Sequence, residues 1–269
     1  MRQFTRTFLN IGLKEPVRIL HITDTHITKA NQHDSEEYHE IMKERTETFY
    51  EEGKRPYKTP SEYLTEAIEW AKKEGCLLVD TGDSIDLYTN GCLEEYFKIV
   101  DGVDMMFTPG GHEHQRAIFR TMEEPDEYYK VARERLKQSF KAHDLDLSSR
   151  IVNGLNIVCA DNSLDYYNKT TVEKFKKEIE KGLPIIVFSH DPIWDIRLNK
   201  DAPYHPNIKL TPEDYKASHE MIDLLLNHPL VIATFAGHDH VDKSMLVNGK
   251  THYCTAGLFK GICRCIEVR

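Results

Sequence analysis

The sequence predicts an α/β chain that turns β-rich at its carboxyl end: a mixed sheet, or two packed sheets, with helices outside. Three observations lead there. Short apolar runs at 19–22, 76–79, 103–107, 185–188 and 231–235 each end in a motif of Gly, Asp and His. Amphipathic helical stretches lie between these runs. The last segment carries Asn248-Gly249 between alternating stretches, a strong two-residue hairpin signal.

In chain order, 18–23 is the first expected strand. A polar, charged stretch follows at 29–58, in which 36–51 has helical character. Placed directly after the first motif, this insertion is suited to form a rim or lid. Thr59-Pro60-x-Glu62 is a capping box with Pro at the first helical position. Tyr63, Leu64, Ala67, Ile68 and Ala71 then recur at helical spacing until Gly75 stops the helix. A strand at 76–80 and a helix at 93–100 follow, then the apolar run at 103–107. Further helices are expected at 125–142, 171–181 and 211–226, the last opening on Thr211-Pro212-Glu213-Asp214. Strands at 155–160, 183–189 and 230–236 separate them, and 243–247, 251–255 and 262–268 complete the pattern.

At 269 residues and 40% hydrophobic content the chain can bury one large core, and no linker-like composition divides it, so a single domain over 1–269 is expected. Residues 1–16 contain no continuous apolar segment of the kind that directs export, and nothing later approaches a membrane span; a soluble, cytoplasmic protein is expected. The six cysteines fall mostly in apolar runs and read as reduced core residues, Cys263 and Cys265 sharing one strand face. A formal charge of −9 argues against nucleic acid as a partner, which would need a basic stripe. It leaves room for a small phosphorylated substrate, because bound dications reverse the local sign.

The chemistry resides in five motifs: Asp24-Thr25-His26, Gly82-Asp83, Gly110-Gly111-His112-Glu113, Ser189-His190-Asp191 and Gly237-His238-Asp239-His240. Each follows an apolar run, where ligands and catalytic groups of α/β folds gather. Asp24 and His26, two apart, offer one cation an oxygen and an imidazole. Gly82 lets the backbone and the Asp83 carboxylate approach a crowded centre. His238 and His240 flank Asp239 at a strand end, an arrangement hard to reconcile with two core histidines. The remaining histidines have plainer readings. His21 sits within a strand pattern as a packed residue, His114 reads as a loop residue, and His33, His39, His143, His205, His219, His228 and His252 are expected at the surface. Trp194 and Tyr204 either pack a loop or line a pocket, nucleotide-sized in one reading.

Taken together and in this order, the motifs resemble those of the calcineurin-like metallophosphoesterases, over roughly 18–268. The resemblance implies a four-layer αββα sandwich of two mixed β-sheets flanked by helices, with two divalent metals (Mn, Fe or Zn) in the loops at one edge. Asp24, His26, Asp83 and His240 would hold the first metal, and Asp83, His190 and His238 the second, Asp83 bridging. A bridging hydroxide would attack phosphorus in line while His112 assists the leaving group and Asp86 orients His112. Purple acid phosphatases have a metal-binding tyrosine where Asp86 stands, which argues against that branch.

One position departs from the pattern. The family has Asn before the histidine of the third motif, a ligand of the second metal, and this chain has Gly111. Three protein ligands would remain there unless a group such as Asn162 or His114 substitutes. The implied function is hydrolysis of a small phosphodiester or phosphomonoester. The competing reading, carried by Gly111 alone, is a catalytically weakened scaffold that binds a protein partner.

Overall fold

The computed structural model describes residues 1–115, 125–141, 143–194 and 211–269; Ala142, Tyr204 and His205 lie outside them. Two sheets pack face to face. The first runs β1 (Gln3–Leu9), β11 (Ile262–Val268), β2 (Val17–Ile22), β3 (Leu77–Asp80), β4 (Met105–Phe107). The second runs β5 (Leu147–Val152), β6 (Leu155–Ala160), β7 (Ile185–Phe188), β8 (Val231–Ala236), β10 (Lys250–Cys254), β9 (Lys243–Val247). Both are mixed: β2, β3 and β4 are parallel, as are β6, β7, β8 and β10, whereas β11 opposes β2, β5 opposes β6 and β9 opposes β10.

Continuous apolar runs arise because these strands are buried on both faces. In β2, Ile19 points between the sheets while Leu20 and Ile22 point outward to helices; in β7, Ile186 and Phe188 face the inner layer and Ile185 and Val187 the outer one. The outer layer on the first sheet is α1 (Glu36–Glu52), α2 (Pro60–Glu74), α3 (Asn90–Val100) and α4 (Pro125–Ser139). The layer on the second is α5 (Lys169–Glu180) and α6 (Pro212–Asn227). The result is the four-layer αββα order expected. No helix among the described residues is long and apolar enough to cross a membrane.

Local signals fix several boundaries. The Thr59–Glu62 capping box forms at the start of α2, and Gly75 closes that helix in the left-handed conformation at φ 65°. Asn248 and Gly249, at φ 51° and 77°, make the tight β9–β10 hairpin. All six cysteines are free, and Cys263 and Cys265 both face the helical layer.

Two strands were not expected. β1 buries only Thr7 and pairs at the sheet edge with β11, and β5 buries only Leu147, the rest alternating between half-buried and exposed; neither has the continuous apolar run of a central strand. His252 also departs from expectation. It is 1% exposed, its Nδ1 lying 2.8 Å from Thr234 Oγ1 across the β8–β10 pair.

Candidate metal centre

The loops after β2, β3, β4, β7 and β8 meet at one edge of the sandwich and bring the five motifs together. The first two are zipped by backbone hydrogen bonds: Asp24 N–H donates to Gly82 O at 2.9 Å, His26 N–H to Asp83 O at 2.8 Å, and Ile27 N–H to Ser84 O at 3.0 Å. Asp24, His26, Asp83, His238 and His240 all have positive φ, between 50° and 70°. L-residues are strained there, and such strain persists only where surroundings over-determine it. Glycines make the approach possible. A Cβ on Gly82 would sit 2.0 Å from Gly110 N, and one on Gly237 would sit 1.8 Å from Thr23 Oγ1.

Asp83 is central. Its Oδ2 lies 3.2 Å from His190 Nε2 and 3.8 Å from His26 Nε2, and its Oδ1 accepts the His112 N–H at 2.8 Å. On one side His240 Nε2 lies 3.4 Å from Asp24 Oδ1 and 3.1 Å from His26 Nε2. On the other side His190 joins Asp24 and Asp83 in one cluster of ligand atoms, and Asp191 and His238 in another. His238, 44% exposed in its side chain, is the most open member.

The tautomers suit metal binding. His190 Nδ1 is 2.8 Å from Thr81 O, so that nitrogen donates and the neutral ring would present a bare, buried Nε2 beside Asp83 Oδ2 at 3.2 Å; without a metal the neighbouring carboxylates hold the ring's pKa well above its ordinary value. His26 Nδ1 pairs with Asp86 Oδ1 at 3.2 Å, and His240 Nδ1 with Glu52 Oε1 at 2.8 Å. With both Nδ1 hydrogens so engaged, the neutral rings would face one another with bare nitrogens 3.1 Å apart, a repulsion that a shared cation relieves. Burial opposes charge on His240, but Asp24 and Glu52 outweigh it and push its pKa up to about 10, so the site calls for positive charge at this spot. The residues present therefore fit divalent metal.

Asp86 is fully buried, yet its carboxyl is held well below the usual range. Burial opposes ionisation, but Arg45, His112 and His26 outweigh it. Arg45 grips it with two hydrogen bonds of 2.8 and 2.9 Å. Asp86 also meets His112 twice, its backbone oxygen 2.7 Å and its Oδ1 3.1 Å from Nδ1. Burial disfavours the charged His112 ring, but Asp83 and Asp86 push its pKa up to about 9. With no metal on Asp83, His112 is thus protonated at neutral pH; it is partly open to solvent, with Nε2 3.9 Å from Asp83 Oδ2.

Several participants were not anticipated from sequence. Arg45, Phe49 and Glu52 line one face of α1. Phe49 stacks on His26 with centroids 4.2 Å apart, so the insertion forms a rim whose side chains brace the motif residues. Their spacing of four and three is a helical-face signal, visible only once one knows what the face meets. Glu113 was quoted within its motif without a role. Its carboxylate accepts the backbone N–H of Asp83, Ser84 and Gly110 at 2.9, 2.7 and 2.7 Å, clamping two loops.

The suggested substitutes for the absent Asn are otherwise engaged. Asn162 Oδ1 accepts the N–H of His190 and Asp191, and its Nδ2 donates to Asp191 O, so it braces the β7 loop rather than offering an oxygen to a metal. His114, expected in a loop, is buried at the end of a short 3-10 turn (His112–His114), with Nε2 2.9 Å from Ser163 Oγ. Trp194 donates to Asp239 Oδ2 at 3.2 Å and carries Lys243 over its ring, which ties its loop to the fifth motif. His21 is packed as expected, between Thr81 Oγ1 and Thr255 Oγ1, each at 2.9 Å.

A sequence model described as calcineurin-like phosphoesterase matches residues 17–242. Among solved structures, a dimetal phosphatase from Danio rerio is similar over 91% of this chain and 88% of its own, at 15% identity and a TM-score of 0.52. The phosphopantetheinyl hydrolase of Mycobacterium tuberculosis is similar over 95% and 91%, at 11% identity and a TM-score of 0.40. An archaeal phosphodiesterase is similar over 90% and 86%, at 11% identity and 0.36. The likeness to the Danio rerio phosphatase is one of fold. No curated protein matches the chain significantly.

Proposed function

Because this chain belongs to the calcineurin-like phosphoesterase family, we propose that it hydrolyses a small phosphodiester or phosphomonoester with two divalent ions. Asp24, His26, Asp83 and His240 would hold the first, and Asp83, His190 and His238 the second. The observation that carries this reading is the position of Asp83 Oδ2 between His190 Nε2 at 3.2 Å and His26 Nε2 at 3.8 Å, as a bridging carboxylate requires. Mixed carboxylate and imidazole donors suit Mn, Fe or Zn better than Mg or Ca. When bound, such ions would polarise phosphoryl oxygens as Lewis acids and would supply an activated water for attack on phosphorus.

The chain's own groups do the rest. His112 donates its Nε2 proton to the departing oxygen, and the hydrogen bonds its Nδ1–H donates to Asp86 hold the ring in the orientation this transfer needs. Arg45 keeps Asp86 ionised and in place. Glu113 fixes the two loops from which Asp83 and His112 project.

His112→Ala is expected to lower kcat by about 10² to 10⁴ on a diester or monoester substrate while metal content and folding stay near wild type. Undiminished turnover would remove His112 from the reaction. Gly111 is the one observation that favours the scaffold reading. Screening the metal-loaded protein against both ester classes separates the two, since a scaffold binds metal and turns over neither.

A further inference from the structure

We propose that Asp191 supplies the second metal with the protein ligand that Gly111 lacks. The proposal rests on the two-metal reading above and adds to it a residue outside the ligand set that the family motifs imply.

Four observations carry it. Asp191 is 4% exposed, and its Oδ1 lies 3.3 Å from His238 Nδ1 and 4.0 Å from His190 Nε2. The ligand atoms of these three residues all lie within 4.8 Å of one another, the spread that donors around one cation span. His190 Nε2, aimed into this cluster, is buried and makes no hydrogen bond among the described residues, with Asp83 Oδ2 3.2 Å away. Finally, Asp191 is held for the task. Its Oδ2 accepts the Asp165 N–H at 3.2 Å and its own N–H donates to Asn162 Oδ1 at 3.0 Å, which leaves Oδ1 directed at the two imidazoles.

Asn162 and His114 point their polar atoms elsewhere, so Asp191 is the group that both reaches the second site and has an oxygen to offer. Burial raises the pKa of the Asp191 carboxyl, so a dication there would take the place of its proton, and the exchange of an amide oxygen for a carboxylate then adds one negative charge to the second site. That charge strengthens its hold on a dication.

The test is metal content by elemental analysis after loading with Mn, together with Mn titrations and the spin-coupled dimanganese signal by electron paramagnetic resonance. Wild type, Asp191→Ala, Asp191→Asn and the Gly111→Asn/Asp191→Ala double variant are compared, with circular dichroism to verify folding. The Gly111 site admits Asn, since a Cβ there would meet nothing closer than Ser163 O at 3.4 Å.

Wild type is expected to hold two equivalents and show the coupled signal. Asp191→Ala should weaken the second equivalent by about 100-fold with the first unchanged, and Asp191→Asn by about tenfold. The double variant should regain the coupled signal. If Asp191→Ala misfolds, Asp191→Asn decides by the same titration. Two equivalents with unchanged affinity in the Asp191 variants would overturn this proposal alone. Fewer than two in wild type would overturn the two-metal reading and this proposal with it.

Discussion

At the scale of single residues, the centre is organised by carboxylates that each serve several partners. Asp86 takes two hydrogen bonds from Arg45 and one from each of His26 and His112, so removal of a single cation leaves a buried charge short of compensation. Arg45→Ala is expected to cost about 2–4 kcal/mol, below the full value for a buried pair because the arginine is partly solvated. It should also lower kcat by loosening His112. Arg45→Lys keeps the charge but loses the two-pronged grip, and should recover only part of each effect. Urea unfolding together with steady-state kinetics measures both; a loss below about 0.5 kcal/mol would show that Asp86 does not depend on Arg45.

At the scale of elements, the site is made where loops interpenetrate. Gly82 and Gly110 lie in loops after different strands, yet neither loop leaves the other room for a side chain: a Cβ on Gly82 would lie 2.0 Å from Gly110 N, and one on Gly110 would lie 2.3 Å from Asp83 Oδ1. Gly82 also has φ 88°. Gly82→Ala is therefore expected to destabilise by about 3 kcal/mol or more and to weaken metal binding, through displacement of Asp83. A melting temperature within a degree of wild type would mean that the loops relax freely. Helix α1 was legible as a helical stretch at 36–51, but its contribution was not. Only the docking of the helix turns Arg45, Phe49 and Glu52 into braces for Asp86, His26 and His240.

At the scale of the whole molecule, His21 ties the two sheets together beneath the centre. It lies on β2, bonds Thr81 and Thr255 from opposite sheets, and meets Phe188 edge-on at 5.2 Å. Burial, aided by Arg264, lowers its pKa from 6.5 to about 3. The unfolded chain therefore takes up a proton below pH 6.5 that the folded protein refuses. The stability contributed by neutral His21 is complete above 6.5 and is lost as pH falls toward 3, at up to about 1.4 kcal/mol per pH unit. In the metal-free protein between pH 7 and 5 this decline is opposed by Asp80 and Glu113, whose buried carboxyls are pushed up to about 7, so the test is a difference: His21→Gln should remove one proton's worth of it from the slope. An unaltered slope in that variant would exclude His21 as its source.

The sequence alone determined the order of strands and helices at the centre of the fold and the five motifs. Buried parallel strands need continuous apolar runs, and metal-binding chemistry needs particular side chains where those runs stop. It also exposed the missing Asn at Gly111. Edge strands β1 and β5 escaped it because half-exposed strands carry no such run. Tertiary structure alone decided that Asn162 faces the backbone of His190 while Asp191 faces its ring, and that α1 braces three motif residues. Those outcomes depend on which way a side chain points once two sheets and a helix have packed. Residue type and spacing do not contain that direction.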